Sequence, residues 1–313
     1  MRIVFFGTPD FAVPCLQRLG EHPSAFEVVG VVSQPDRPQG RGQQLSPPPV
    51  KVLAESFGIP VWQPQRLRRD EKTLAALSAL DADVFVVVAY GQILSPQVLA
   101  MPRRGCINVH ASLLPTYRGA APIQWALANG EQETGVTTML MDEGMDTGPM
   151  LLQATLPIHP TWNREDLAQE LADLGSRLLI TTLEKWQAGM LTPIPQDPRL
   201  ATYAPLLKPE DFHLHWTDPA LRIHNRVRGF YPMAWIPYRG ERLKLLATQV
   251  GGGDFPMAAP GTIVGVVKGQ GFWVQTGQGS LLLTRVQPPG KKAQSGWDFL
   301  NGQRLGSGDV IPE

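Results

Sequence analysis

Residues 105–115 read Gly-Cys-Ile-Asn-Val-His-Ala-Ser-Leu-Leu-Pro, a short apolar run that carries two polar side chains, Asn108 and His110. Side chains alternate across a β-strand, so positions two apart share a face. A strand over 106–110 therefore sets a carboxamide beside an imidazole where the strand ends. Two such donors can stabilise negative charge growing on a carbonyl oxygen, which points to acyl-type transfer. Spacing alone leaves a second reading open, a histidine hydrogen-bonded at a strand end for structural reasons only.

Outward from this run, apolar stretches at 2–6, 28–32, 84–89 and 135–141 read as further strands. Segments 11–19, after the Thr8-Pro9-Asp10 turn, and 50–57 read as helices. Short apolar strands alternating with helical patterns imply βαβ units, and hence an α/β fold with a mainly parallel, doubly wound sheet. Ligands of such sheets bind at the carboxyl ends of the strands, which is where Asn108 and His110 fall. Leu167, Leu171, Leu174, Leu178, Leu179 and Leu183 recur at helical spacing, and Gly189 stands at the stop. The Pro-rich run Thr192-Pro193-Ile194-Pro195-Gln196-Asp197-Pro198 then reads as an extended linker. Past residue 204, a helix at 221–228 is followed by β-like runs at 243–249, 261–268, 271–276 and 280–286, split by glycines. That pattern predicts a small β-barrel. The expected division is a catalytic domain at 1–189, a linker at 190–206 and a C-terminal domain at 207–313.

The bulk numbers agree. A chain of 313 residues, with 43% hydrophobic and 18% charged, is long enough for two folded domains and too apolar for a disordered protein. Cys15 and Cys106 sit among apolar neighbours and read as buried free thiols, which gives no support to a disulfide framework or a cysteine zinc site. The first seven residues are too short an apolar run for a signal peptide, and no stretch approaches the roughly 20 apolar residues of a membrane helix. A cytoplasmic location is the expectation. Net charge is zero, but residues 1–203 carry 16 Lys/Arg against 20 Asp/Glu, and 204–313 carry 12 against 8. The basic C-terminal part suits an anionic partner.

Two loops can also carry chemistry. Residues 141–149 place Asp142, Glu143 and Asp146 on a glycine-punctuated turn, and 34–42 place Arg37 and Arg41 on a Pro/Gly-rich one. Either loop could equally be a solvated turn. His213 and His215, two apart, read as a surface strand, since no third ligand is in view.

Resemblance adds to this reading. Phe6-Gly7-Thr8-Pro9-Asp10-Phe11, the 34–42 run, Val88-Ala89-Tyr90-Gly91, Asn108 to Pro115, Arg118 to Gln124, Gly135-Val136-Thr137 and 141–148 resemble the bacterial-type methionyl-tRNA formyltransferase family, in order, from about residue 2 to about residue 300. The Asn-x-His-x-Ser-Leu-Leu-Pro element resembles the wider superfamily that uses 10-formyltetrahydrofolate. The resemblance implies a Rossmann-like catalytic domain joined to an OB-like barrel. It implies Asn108, His110 and Asp146 as catalytic residues. It implies folate contacts from Ser112, Leu113, Leu114 and Pro115, with Tyr90, Gly91 and Asp142 framing the pterin pocket. It implies tRNA contacts from Arg41 and, on the barrel, from Lys291 and Lys292. A monomer and a reaction without metal are further expectations, the incoming amine being itself the nucleophile. The family carries lysine near the end of the linker; here only Lys208 remains, displaced, and it is assigned no role. The alternative is transfer to an amino-sugar nucleotide, since such enzymes can keep a similar tail. The Gly40-Arg41-Gly42 loop favours tRNA, because a small sugar nucleotide needs no such reach.

Overall fold

The computed structural model describes residues 1–39, 44–251 and 255–312. The chain divides into two compact units. The first comprises Met1–Pro122, Glu133–Pro157 and Ala168–Ala204, and the second Ile123–Gln132, Ile158–Leu167 and Pro205–Glu313. Two short segments from within 1–189 thus group with the second unit, and residues 190–204 of the run expected as a linker group with the first.

The first unit contains strands β1 (Arg2–Gly7), β2 (Glu27–Val32), β3 (Arg37–Gln39), β4 (Gln44–Ser46), β5 (Val61–Trp62), β6 (Val84–Val88), β7 (Cys106–His110), β8 (Glu133–Leu140) and β9 (Met150–Pro157). Among the described residues, seven of these form one sheet in the order β5-β2-β1-β6-β7-β8-β9, while β3 and β4 pair only with each other. Pairing is parallel from β5 through β7 and antiparallel for β8 and β9. The central strands read as unbroken apolar runs because both faces are covered, and every residue of β6 is buried. The apolar run 84–89 stops one residue early, since Ala89 turns into the left-handed region at φ 47 and cannot continue the ladder. Strand β9 was not expected. Its burial alternates along the edge of the sheet, so its sequence never offers a continuous apolar signal.

Helices α1 (Val13–Gly20), α2 (Pro49–Ser56), α3 (Glu71–Ala79) and α4 (Pro96–Leu99) belong to this unit, and α5 (Pro122–Asn129) begins at its boundary. Residues 11–19 form a short 3-10 turn at Asp10–Ala12 before α1, with Pro14 in the first helical turn, where its missing N–H costs nothing. The long helix α6 (Arg164–Gln187) lies against β7 and β8 at Gly175, where an added Cβ would come within 3.1 Å of Val109 Cγ1. Thr138 and Thr182 bond across the same contact at 2.9 Å. Cys15 and Cys106 are buried and free, and burial pushes both thiols up to about 12, which keeps them protonated and inert.

The second unit holds α7 (Ala220–Gly229), α8 (Gly296–Gln303) and strands β10 (Trp235–Tyr238), β11 (Glu241–Val250), β12 (Ile263–Val267), β13 (Gly271–Gln275), β14 (Ser280–Gln287) and β15 (Gln294–Ser295). The sheet is antiparallel, ordered β10-β11-β14-β13-β12, with β15 added to β14. Irregular register near Ala247 marks where β11 departs from a flat ladder. Trp216, Ile223, Phe230, Leu245, Phe272 and Phe299 are among its core residues.

Candidate functional site

Strand β7 delivers the two polar side chains as the period-two pattern requires. Asn108 is half-buried and His110 is 6% exposed. The His110 ring is held from both sides. Its Nε2 lies 3.0 Å from the Tyr117 carbonyl, which can only accept, so Nε2 carries the hydrogen and donates. Its Nδ1 lies 3.7 Å from Asp146 Oδ1, at 7% and 15% side-chain exposure for the two partners. A neutral imidazole can donate to one of these acceptors at a time, and an imidazolium to both.

Asp146 reaches His110 through backbone geometry that no side-chain pattern announces. Its φ of 54 places it in the left-handed region, which turns its carboxylate back from the 141–149 loop. Oδ2 accepts a hydrogen bond from the Gly119 amide at 2.8 Å. Gly119 itself stands at φ 119, and a Cβ there would come 2.7 Å from the Ala204 carbonyl oxygen, so only glycine fits.

The turn after β7 is stitched from within. Ser112 Oγ donates to the Thr116 carbonyl at 2.6 Å, and Thr116 Oγ1 to the Leu113 carbonyl at 2.6 Å. The fully buried Thr137 on β8 donates to the Ser112 carbonyl at 2.7 Å and accepts from Leu114 N at 3.1 Å and Gln153 Nε2 at 2.9 Å. The segment 190–204 closes the turn from outside. Tyr117 N donates to Thr202 Oγ1 at 2.8 Å, Arg118 N to the Thr202 carbonyl at 2.9 Å, and Ala204 N to the Arg118 carbonyl at 2.7 Å.

The other expected residues fall into place unequally. Ser112 to Pro115 follow His110 directly, and Tyr90 and Gly91 follow β6. Strand β6 runs parallel to β7, so both segments leave the sheet at the same end. Tyr90 offers its backbone there, not its ring. The ring is buried edge-on to Phe6 at 5.4 Å, while the carbonyl accepts from Thr8 Oγ1 and Gln34 Nε2 at 2.9 and 3.2 Å. Asp142 follows β8, whose end pairs with the start of β7, and its carboxylate accepts from Gly144 N and Thr147 Oγ1 at 3.0 and 2.7 Å. Arg41 lies outside the described residues. Lys291 and Lys292 are exposed on a tight turn between β14 and β15, shaped by Gly290 at φ 67. Lys208 precedes a short 3-10 turn, where its backbone amide donates to Asp211 Oδ2 at 2.7 Å.

Sequence reasoning missed Tyr117, Gly119, Gln196 and Thr202, because each acts through a backbone group or through a partner distant in the chain. The strand expected at His213 and His215 is not formed. His213 follows the 3-10 turn, and its ring stacks on Trp235 at 4.4 Å and meets His215 at 4.3 Å. Among the described residues no group of three His, Cys, Asp or Glu could hold a metal ion, and no helix is long and apolar enough to cross a membrane.

Residues 1–183 match the Formyl transferase family, and residues 206–304 match the Formyl transferase C-terminal domain. Together the two matches span most of the chain and make it a formyl transferase. The chain is 61% identical over 310 residues to the methionyl-tRNA formyltransferase of Synechococcus sp. (strain JA-2-3B'a(2-13)), covering 97% of this chain and 96% of that one. It belongs to the methionyl-tRNA formyltransferase family. Solved structures share the fold at low identity. An N-formyltransferase from Helicobacter canadensis, in complex with folinic acid and dTDP-3-aminofucose, superposes with a TM-score of 0.66 at 17% identity, over 90% of this chain and 98% of that one. The methionyl-tRNA formyltransferase from Clostridium thermocellum gives 0.56 at 18%, over 80% of this chain and 94% of that one.

Proposed function

We propose that this enzyme transfers the formyl group of 10-formyltetrahydrofolate to the α-amino group of methionyl initiator tRNA. The observation that carries the reading is the His110–Asp146 pair beside Asn108, in a chain that is similar to a methionyl-tRNA formyltransferase over almost its whole length. The amine nitrogen attacks the formyl carbon and the carbonyl oxygen becomes an oxyanion. The amine then loses a proton, the bond from the formyl carbon to folate N10 breaks, and N10 takes up a proton. Asn108 Nδ2 and the protonated His110 ring donate to the oxyanion. The Nε2 hydrogen now on the Tyr117 carbonyl is open to competition, because an acceptor that gains negative charge outbids a neutral carbonyl. Asp146 holds the other ring nitrogen and serves the proton leaving the amine, directly or through water.

The pterin sits against the backbone of Tyr90 and Gly91 and of Ser112, Leu113, Leu114 and Pro115, with Asp142 at its rim. The acceptor end of the tRNA meets Arg41, and its phosphates meet Lys291 and Lys292. The protein acts as a monomer in the cytoplasm.

Formyl transfer from 10-formyltetrahydrofolate should be measured to methionyl initiator tRNA and, separately, to a dTDP-linked amino sugar. Product on the charged tRNA alone is expected; product on the sugar alone overturns the reading in favour of the amino-sugar alternative. Reversing both lysines, Lys291→Glu with Lys292→Glu, should raise KM for tRNA and reduce the slope of log KM against log salt by about 2, with kcat unchanged. An unchanged salt slope removes the two lysines from the tRNA contact.

A further inference from the structure

We propose that Gln196 is a positioning residue for formyl transfer, anchored by Arg118 and acting through Asp146; the proposal rests on the reading of Asp146 as the partner of His110. All three residues lie within the first unit.

Gln196 was legible only as one polar position in a Pro-rich run. In the structure its carboxamide makes four hydrogen bonds to nitrogen and oxygen partners, besides a contact from Nε2 to Met139 Sδ at 3.9 Å. Oε1 accepts from Arg118 Nε at 2.9 Å and from Arg118 Nη2 at 2.7 Å. Nε2 donates to the Asp146 carbonyl at 2.8 Å and to the Gly148 carbonyl at 2.7 Å. The orientation of the amide follows from chemistry. A guanidinium only donates and a carbonyl only accepts, so the oxygen must face Arg118 and the nitrogen must face the loop.

Both ends of this bridge are fixed. Arg118 is 4% exposed, and its backbone is paired on either side with Thr202 and Ala204. The next segment upstream is tied as well, since Ile194 and Met150 exchange both backbone hydrogen bonds at 2.8 Å. Gln196 therefore pins the main chain at the residue whose φ of 54 aims the carboxylate at His110. Left-handed backbone at a residue other than glycine persists when its surroundings over-determine it, and two hydrogen bonds onto the carbonyls of 146 and 148 supply that constraint. A displacement of the carboxylate by about 1 Å is enough to cost on the order of a hundredfold in rate.

Gln196→Glu separates anchoring from positioning. The carboxylate keeps the pairing with Arg118, but it sets an acceptor against two carbonyl oxygens where a donor stood. Gln196→Met keeps the length and removes both functions. Steady-state formyl transfer should show kcat lowered by about 10- to 100-fold in each variant, with KM for 10-formyltetrahydrofolate within about twofold of the parent. Gln196→Met should also lower the melting temperature, because the buried Arg118 guanidinium loses its acceptor, whereas Gln196→Glu keeps that pairing. The deciding measurement is a double-mutant cycle in single turnover. On an Asp146→Asn background, Gln196→Glu should have no further effect, because the group it positions is already gone. Parental kcat in Gln196→Glu overturns the proposal, and so does an equal further loss on the Asp146→Asn background. Parental kcat in Asp146→Asn alone instead overturns the reading of Asp146, so the two failures are distinguishable.

Discussion

Replacing His110 by alanine lowers kcat for formyl transfer by about two to four orders of magnitude, the range expected when a donor to an oxyanion that also moves protons is removed. The folate site should survive, because the turn 112–117 keeps its bonds to Thr137, Thr116 and Thr202 when the bond from His110 Nε2 to the Tyr117 carbonyl is lost. Asp146→Asn should cost somewhat less. Its amide retains the volume and one acceptor for the Gly119 N–H, but it no longer sets a carboxylate 3.7 Å from Nδ1. Combined, the two changes should fall well short of the product of their separate effects, as expected of residues acting as one unit. Single-turnover transfer, together with equilibrium folate binding, measures both quantities. Full turnover in His110→Ala, or loss of folate binding equal to the loss of turnover, would falsify the assigned role.

The second large effect concerns stability. His224 on α7 bonds Thr248 Oγ1 through Nδ1 at 2.9 Å, and burial with Arg228 nearby pushes its pKa down from 6.5 to about 4. The folded protein thus keeps this ring neutral where the unfolded chain protonates it. Between pH 6.5 and 4 the unfolded state binds more protons, so stability is fully present above pH 6.5 and is lost as pH falls toward 4. At 1.36 kcal/mol per pKa unit, the linked loss is about 3 kcal/mol. Denaturant midpoints across pH 4–7 should show it, and His224→Gln, which keeps a polar head without a proton to gain, should flatten that part of the curve by up to one proton. An identical slope in parent and variant would remove His224 from the account.

What could be read from the sequence was what repeats locally. Strand β7 was legible to its ends because an apolar run bounded by glycine and an Asn-x-His alternation leave little freedom of register. The central parallel strands were legible for the same reason. Edge strand β9 was not, since half of its residues face outward and break the apolar run. At the site, Asn108 and His110 were a geometric deduction, whereas Asp146 rested on resemblance alone. Its approach depends on one left-handed residue and on an amide 27 positions away, neither of which leaves a periodic trace. The Pro-rich run read as an extended linker, but composition says nothing about what such a chain lies against.

That last point changes what the 190–204 segment is for. A tether tolerates added length, because closing a slightly longer loop costs only a fraction of a kcal/mol. Thr202, Gln196 and Ile194 make this stretch part of the frame that holds the reacting groups in register. Two glycines inserted after Asp197 should therefore lower kcat by about tenfold or more, through misplacement of the 117–119 turn relative to Asp146. The same insertion after Leu206, which is 73% exposed, should leave kcat within about twofold of the parent. Comparing the two insertions by formyl-transfer rate locates the point along the chain where catalytic scaffold gives way to spacer.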